Sequence, residues 1–424
     1  MLNDRNDTGD APCSPAAQAT LGATALQGVR VLDISNLLAA PMSTMYLADF
    51  GADVIKVERP GRGDEVRFWG EHKDGVGLYY KVINRGKRSI TLDLHTPIGV
   101  EIVKRLVAEV DVIVENYRPG TLEKWGLGYD VLSAINPRLI MMRVTGFGQT
   151  GPYRSRPGFG TLAEAYAGVA HITGEPDRPP LLPGFGMADA TSALMAAFLV
   201  SVALHEQRRS GRGQVIDLAL YETLLTLIGP FVVNYDQLGV VQQRQGSRLP
   251  FVAPRNIYQT RDKRYVSIAG SSQAIFERIC HALDASHLIS DPLFIDNRQR
   301  MLHAEALDEK LQEAIRRFDL EDLCARFEQH QAAISPVNDV ADIFADRHIA
   351  ARDNIVGVTD DELGGVVRMQ NVVGKLSRTP GRVTHAGPRL GEHNRQILID
   401  QLGYDEERLK AGGIPILPQA PETP

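Results

Sequence analysis

The sequence predicts a doubly wound α/β domain followed by a smaller α+β domain. Short apolar, β-rich runs alternate with helical stretches over the first half of the chain, the pattern of a parallel sheet covered on both faces. Of the 424 residues, 43% are hydrophobic and 23% charged, an ordinary globular balance in a chain long enough for two domains. Beyond residue 235 the alternation gives way to one hairpin pattern and a set of charged helical segments.

In chain order, "GVRVLDIS" (28–35) is a first strand, and "APMSTMYLADFG" (40–51) a helix closed by glycine. "ADVIKVE" (52–58), "SITLDL" (89–94), "DVIVENY" (111–117) and "RLIMMRVTG" (138–146) are further buried strands. Pro97 suits the start of the helix in "PIGVEIVKRLVAEV" (97–110). "TLEKWG", "YDVLSAI" and "TLAEAYAGVAHITG" read as shorter helical pieces, and a long helix is expected over 189–209. "VIDLAL" (215–220) is another strand, "RNIYQTRDKRYVSIAG" (255–270) a hairpin, and "LGGVVRMQNVVG" (363–374) β-like. The resulting division is a mobile leader (1–27), a large domain (28–235), a small domain (236–350) and a segment returning to the large domain (351–424). The last residues, "GIPILPQAPETP", read as loose.

"RVTGFGQTGPY" contains a G-x-G-x-x-G, formed by Gly146, Gly148 and Gly151. A dinucleotide fingerprint requires its last glycine to open a helix. Pro152 and Pro157 deny that here, so the match fails. The net charge of −6 offers no nucleic-acid footprint. Three cysteines without a C-x-x-C pair fit a reducing, cytoplasmic setting. No apolar run reaches membrane-spanning length, and "ALMAAFLVSVAL" (193–204) reads as a buried helix.

Several stretches, in order, resemble the family III CoA-transferases, the group of formyl-CoA transferase and carnitine CoA-transferase. They are "GVRVLDISNLLAAPMSTMYLADFGADVIKVERPGRGD", "NRGKRSITLDLHTPIG", "DVIVENYRPGTLEKWGLGYD", "TGFGQTGPY", "HITG", "MADATSA", "RRSGRGQVIDLALYE", "ISPVNDV" and "LGEHNRQIL". The resemblance implies a Rossmann-like large domain and ring-like subunits that interlock as a homodimer. It implies an acyl-CoA and a small carboxylic acid as substrates, coenzyme A passing between them, and no permanently bound cofactor or metal.

The same likeness places the family's nucleophile at Asp189, in "GFGMADATSA". Read from the residues alone, Asp189 is a helix N-cap, and a carboxylate there is favoured in its ionised form. The implied reaction is covalent: Asp189 carries first the acyl group and then CoA. Asn36, Leu37 and Ala39 in "SNLLAAP", Arg59 after "VIKVE", Leu92, Asn116 and Tyr117 in "ENYRPG", and Lys124 match CoA contacts. For Arg59 and Lys124 a solvated charge is the plain alternative. His95 stands where formyl-CoA transferase has a lysine, which puts a charge contact there in doubt. Gly158, Gly160, Gly184 and Gly186 are candidates for backbone N–H geometry at the oxyanion, with ordinary turns as the alternative. Arg154, Arg156 and Arg255 are candidates for an acceptor carboxylate, with ordinary surface arginine as the alternative.

Two other readings stand beside the transferase. Racemases of the same fold pair the aspartate with a histidine in a "GHD" stretch; here Phe159 and Gly160 occupy those positions, and His171 belongs to another segment. An acyl-CoA-binding protein without turnover is the other. The glycine-rich lid of formyl-CoA transferase is missing, which turns the substrate expectation from formyl-CoA and oxalate toward succinyl-CoA and small di- or hydroxycarboxylic acids.

Overall fold

The computed structural model describes residues 24–418, so most of the expected leader lies outside the described residues. Six parallel strands form the large sheet: β1 (Arg30–Asp33), β2 (Asp53–Glu58), β3 (Lys87–Thr91), β4 (Val112–Glu115), β5 (Ile140–Thr145) and β6 (Val215–Ala219). Their spatial order is β3-β2-β1-β4-β5-β6. The chain therefore reverses direction across the sheet between β1 and β4, where a crevice opens beyond the carboxyl ends of the strands. Every residue of β4 and β5 is buried, which is why these strands read as unbroken apolar runs rather than alternating ones.

Successive residues of a strand point to opposite faces. On one face Leu32, Ile55, Ile113 and Met141 pack on α2 (Pro97–Val107). On the other, Val31, Val54, Val112 and Met142 pack on α1 (Ala39–Asp49) and on a long helix from Met187 to Ser210. The first face also takes in Ile397, Leu398, Leu409, Ile414 and Ile416. The chain end that reads as loose is thus anchored as far as Ile416, with Ile414 1% and Ile416 6% exposed.

A separate cluster holds the region after the large sheet. Strands β7 (Arg255–Gln259) and β8 (Tyr265–Ala269) form the expected antiparallel hairpin, and β9 (Ile334–Pro336) adds to β8. Helices between residues 273 and 329 bury Phe276, Leu311 and Phe327 against them. β10 (Ile355–Asp360), which shows no clear pattern in sequence, pairs with β11 (Gly365–Gln370).

Two helical expectations need correction. The long helix starts two residues early, at Met187, because the N–H of Ala190 already reaches the carbonyl of Gly186 at 2.9 Å. Asp189 therefore sits inside the first turn rather than capping it. Nor is this helix fully buried: Ala193, Ala196, Val200 and Ala203 face the sheet, but Leu194, Phe198 and Val202 are 50–61% exposed. With 24 residues and a mean hydropathy of 1.7 over its most apolar window, it is long and apolar enough to cross a membrane by length and composition.

Candidate active site

The site is built from the carboxyl ends of β1, β4 and β5 and from the first turn of the long helix. After β1 the backbone makes an unusual turn: Leu37 has φ +67°, a region seldom occupied by a residue with a branched Cγ. Three side chains from two other places hold it. The Leu37 N–H donates to Asp64 Oδ1 at 3.0 Å, and the Asn36 N–H to Asn116 Oδ1 at 2.9 Å. Asn116 Nδ2 returns a bond to the Asn36 carbonyl at 2.6 Å, while Asn36 Nδ2 donates to the Tyr117 hydroxyl at 3.1 Å.

Under this loop lies a fully buried ion network. Lys56 Nζ is 3.0 Å from Asp64 and 3.9 Å from Asp33, and Lys87 Nζ is 3.0 Å from Asp33. Against the cost of burial, the two ammonium groups hold Asp33 well below the usual carboxylate range. Nearby, Arg67 makes a two-pronged contact with Glu58, both bonds 2.8 Å. Despite burial, this guanidinium brings Glu58 down to about 2.

The opposite wall follows β5. A Cβ on Gly158 would lie 2.5 Å from the Cα of Gly146, so the chain crosses itself in backbone contact there. Residues 146–159 are turns and bends, and the next helix, at Gly160–Tyr166, starts beyond the third glycine of the motif. Gly160 lies against the nucleophile candidate: a Cβ would stand 2.1 Å from Asp189 Oδ2 and 2.8 Å from its Cγ. Glu164, 2% exposed, is on the same short helix and accepts the Ala188 N–H at 3.2 Å.

Asp189 differs from the carboxylates of the ion network. Burial, and then the charge of Glu164, push it up to about 6. Its place in the first helical turn does not reverse this, so the expectation that the helix end favours its ionised form is overridden by desolvation. Even so, a group at about 6 is about 90% ionised at pH 7. That leaves a basic, unneutralised carboxylate facing a cavity of about 180 Å³.

The cavity brings together Leu37, Ala39, Asn116, Tyr117 and Asp189, with Leu38, Arg118, Arg154, Arg156 and Phe159 beside them. Asn36 stands just behind, as the brace of Asn116 and Tyr117. Arg59 and Lys124 are exposed and do not line it. Leu92 does not line the cavity: it is 2% exposed, its side chain within the hydrophobic cluster of the sheet. His95 is exposed and meets the edge of Trp125 at 4.7 Å, while Tyr117 meets the same indole at 4.9 Å. Arg255 lines a different cavity of about 620 Å³, with Arg248, His303 and Asp308. Gly184 is exposed, and a Cβ there would meet nothing within 4 Å.

Sequence reading missed Asp64, Glu164 and Trp125. Trp125 and Asp64 carried a signal, the one an aromatic in "ENYRPGTLEKWG" and the other the last residue of "VIKVERPGRGD"; Glu164 carried none, since its partner is 24 residues away.

A parallel-sheet crevice holding an unpaired carboxylate beside a braced strand-end loop defines an acyl-transfer class of site. Residues 26–394 match CoA-transferase family III, and the chain belongs to that family. It is 45% identical over 385 residues to the succinyl-CoA–D-citramalate CoA-transferase of Chloroflexus aurantiacus, covering 91% of this chain and 96% of the relative. It is 34% identical over 396 residues to the human succinyl-CoA:glutarate CoA-transferase, covering 91% and 89%. Among solved structures, a CaiB/BaiF family protein from Brucella suis superposes with a TM-score of 0.80 at 36% identity, covering 89% of this chain and 99% of that one.

Proposed function

We propose that the chain moves CoA from succinyl-CoA to a small di- or hydroxydicarboxylic acid, with Asp189 as the covalent carrier. The observation that carries this reading is the Asp189 carboxylate itself: held at about 6 with no ion-pair partner among the described residues, and facing the cavity that gathers Leu37, Ala39, Asn116 and Tyr117. The succinyl donor and the diacid acceptor are supported by the relatives, which are CoA-transferases of that kind.

A carboxylate oxygen of Asp189 adds to the thioester carbonyl, the C–S bond breaks, and the CoA thiolate leaves behind an acyl–aspartyl anhydride. The thiolate attacks the aspartyl carbonyl and expels the donor acid as its carboxylate, leaving an aspartyl-CoA thioester. The acceptor carboxylate attacks that thioester, and the released thiolate takes the acceptor's acyl carbon from the new anhydride, restoring Asp189. Each intermediate keeps the activation of the original thioester, so water must be excluded. An oxygen-labelled acceptor tests the sequence directly. With heavy-oxygen glutarate and succinyl-CoA, label is expected in Asp189 and then in released succinate; label confined to glutarate and its CoA ester would contradict it.

The racemase reading needs a titrating group opposite Asp189. Phe159 cannot titrate, and an aspartate at position 160 would collide with the Asp189 carboxylate. His171 is exposed, with its carbonyl accepting Arg244 at 3.0 Å.

The reading extends to the large domain as Rossmann-like, for which the strand order β3-β2-β1-β4-β5-β6 is the support. It extends also to an interlocked homodimer acting in the cytoplasm. Leu194, Phe198 and Val202 on the long helix, and Val232, Val233, Tyr235 and Leu238 on the helix Gly229–Leu238, leave an apolar surface that a second copy would cover. Light scattering on a sizing column checks the mass.

A further inference from the structure

We infer that Arg154 and Arg156 form the receptor for the second carboxylate of the acid, and so select diacids over monoacids. The inference rests on the transferase reading of Asp189 above. Four observations lead to it.

First, the cavity that contains Asp189 is lined by three arginines, Arg118, Arg154 and Arg156, and Asp189 is the single acidic residue among the lining. Second, among the described residues neither Arg154 nor Arg156 has a carboxylate within ion-pair distance, whereas Arg143, on β5 just before them, is committed to Glu115 and Glu123. Third, the Arg156 guanidinium lies 3.5 Å from the centroid of the Tyr153 ring. Tyr153 is itself set among Phe147 and Tyr166, at 6.1 and 6.4 Å. The ring face steadies the guanidinium, and among the described residues no carboxylate pairs with its N–H groups, which suits a two-pronged contact with an incoming carboxylate. Fourth, Phe159, 58% exposed, lines the same cavity and offers an apolar wall to the carbon chain between the two carboxylates of a short diacid.

The competing anion is a phosphate of CoA. Arg118 follows directly on Asn116 and Tyr117 at the end of β4, whereas Arg154 and Arg156 follow β5 on the side of Phe159. This division assigns Arg118 to the nucleotide side and the other two to the acid. Arg255 takes no part, since it lines the other cavity and its Nη1 donates to the Ser247 carbonyl.

Because donor and acceptor acids occupy the same place in turn, the test uses acids and free CoA separately. Arg154→Gln, Arg156→Gln, the double variant and Arg156→Lys are compared with the unchanged chain on glutarate, on its monomethyl ester, and for inhibition by free CoA. Hydroxylamine trapping at Asp189 with saturating succinyl-CoA runs alongside.

The double variant is expected to raise the KM for glutarate about 10- to 100-fold, the loss of charge-assisted bonds to one carboxylate. With succinyl-CoA held saturating, its kcat and its rate with the monomethyl ester should change little, inhibition by free CoA should be unaltered, and the Asp189 hydroxamate should still form. Arg156→Lys keeps charge without the fork and should fall between. Equal losses on glutarate and its ester, or weaker inhibition by free CoA with an unchanged KM for glutarate, overturn the inference while leaving the carrier role of Asp189 intact. Absence of the hydroxamate in the unchanged chain removes that role, and the inference with it.

Discussion

Two groups of buried or half-buried carboxylates sit a few residues from the same crevice and are treated in opposite ways. Under the β1 loop, Asp33, Asp64 and Glu58 are each matched by a lysine or arginine at 2.8–3.0 Å. Across the cavity, Asp189 and Glu164 face one another's fields with no cation among the described residues to neutralise them, and Asp189 is held at about 6. Paired charge holds the strained Leu37 turn in place; unpaired charge keeps a nucleophile basic. The contrast teaches that burial alone does not mark a working carboxylate, and that the missing counter-ion does.

The contrast breaks most severely at Lys56. Lys56→Met leaves Asp33 and Asp64 buried without that partner and should cost about 3–5 kcal/mol of stability, read as a shift of the urea midpoint. Next comes Gly160→Ala. Its Cβ would fall 2.1 Å from Asp189 Oδ2, so the carboxylate must turn away. Acylation should drop about 100-fold with little change in urea midpoint, since a displaced nucleophile costs orientation rather than folding.

The third test concerns the sign of the pH dependence. Asp33 and Glu58 are lowered, so their stabilisation is present above the unfolded carboxylate range and is lost as pH falls toward about 2. Asp189 is raised, so the fold is favoured below its unfolded value near 3.8 and that advantage is lost as pH rises through about 6. Asp189→Asn should therefore gain up to about 2 kcal/mol at pH 7 and much less at pH 4, measured by thermal melts at both. An equal gain at both values would remove the ionised carboxylate as its cause.

The smallest expected effect is on the acid limb of the rate profile. CoA transfer should fall as pH drops through about 6, when Asp189 takes up its proton. Glu164→Gln removes a neighbouring negative charge and should move that limb to lower pH; a limb that stays in place would mean that burial alone sets it.

Much of the large sheet was legible because its strands are buried on both faces and so appear as apolar runs punctuated by turns. β10 was not, since an isolated two-stranded hairpin exposes half its residues and loses that signature. At the site, Asp189 was legible only through the ordered set of motifs around it; taken singly it looks like a cap, and the structure moves it inside the helix. Leu92 shows the limit of likeness: a position carried over from the family whose side chain packs in the core. Asp64 closes one of the quoted motifs, but its role was illegible, as was Glu164 altogether, because what they do depends on backbone N–H groups far along the chain.

The central claim is that Asp189 carries the acyl group and then CoA, and mass spectrometry tests it most directly. After incubation with succinyl-CoA and hydroxylamine, a hydroxamate is expected on Asp189 and is expected to be missing from Asp189→Ala. No adduct on Asp189 across a panel of acyl-CoA esters, together with exchange of the α-proton of a 2-methylacyl-CoA, would contradict the account and assign the site to the racemase reaction.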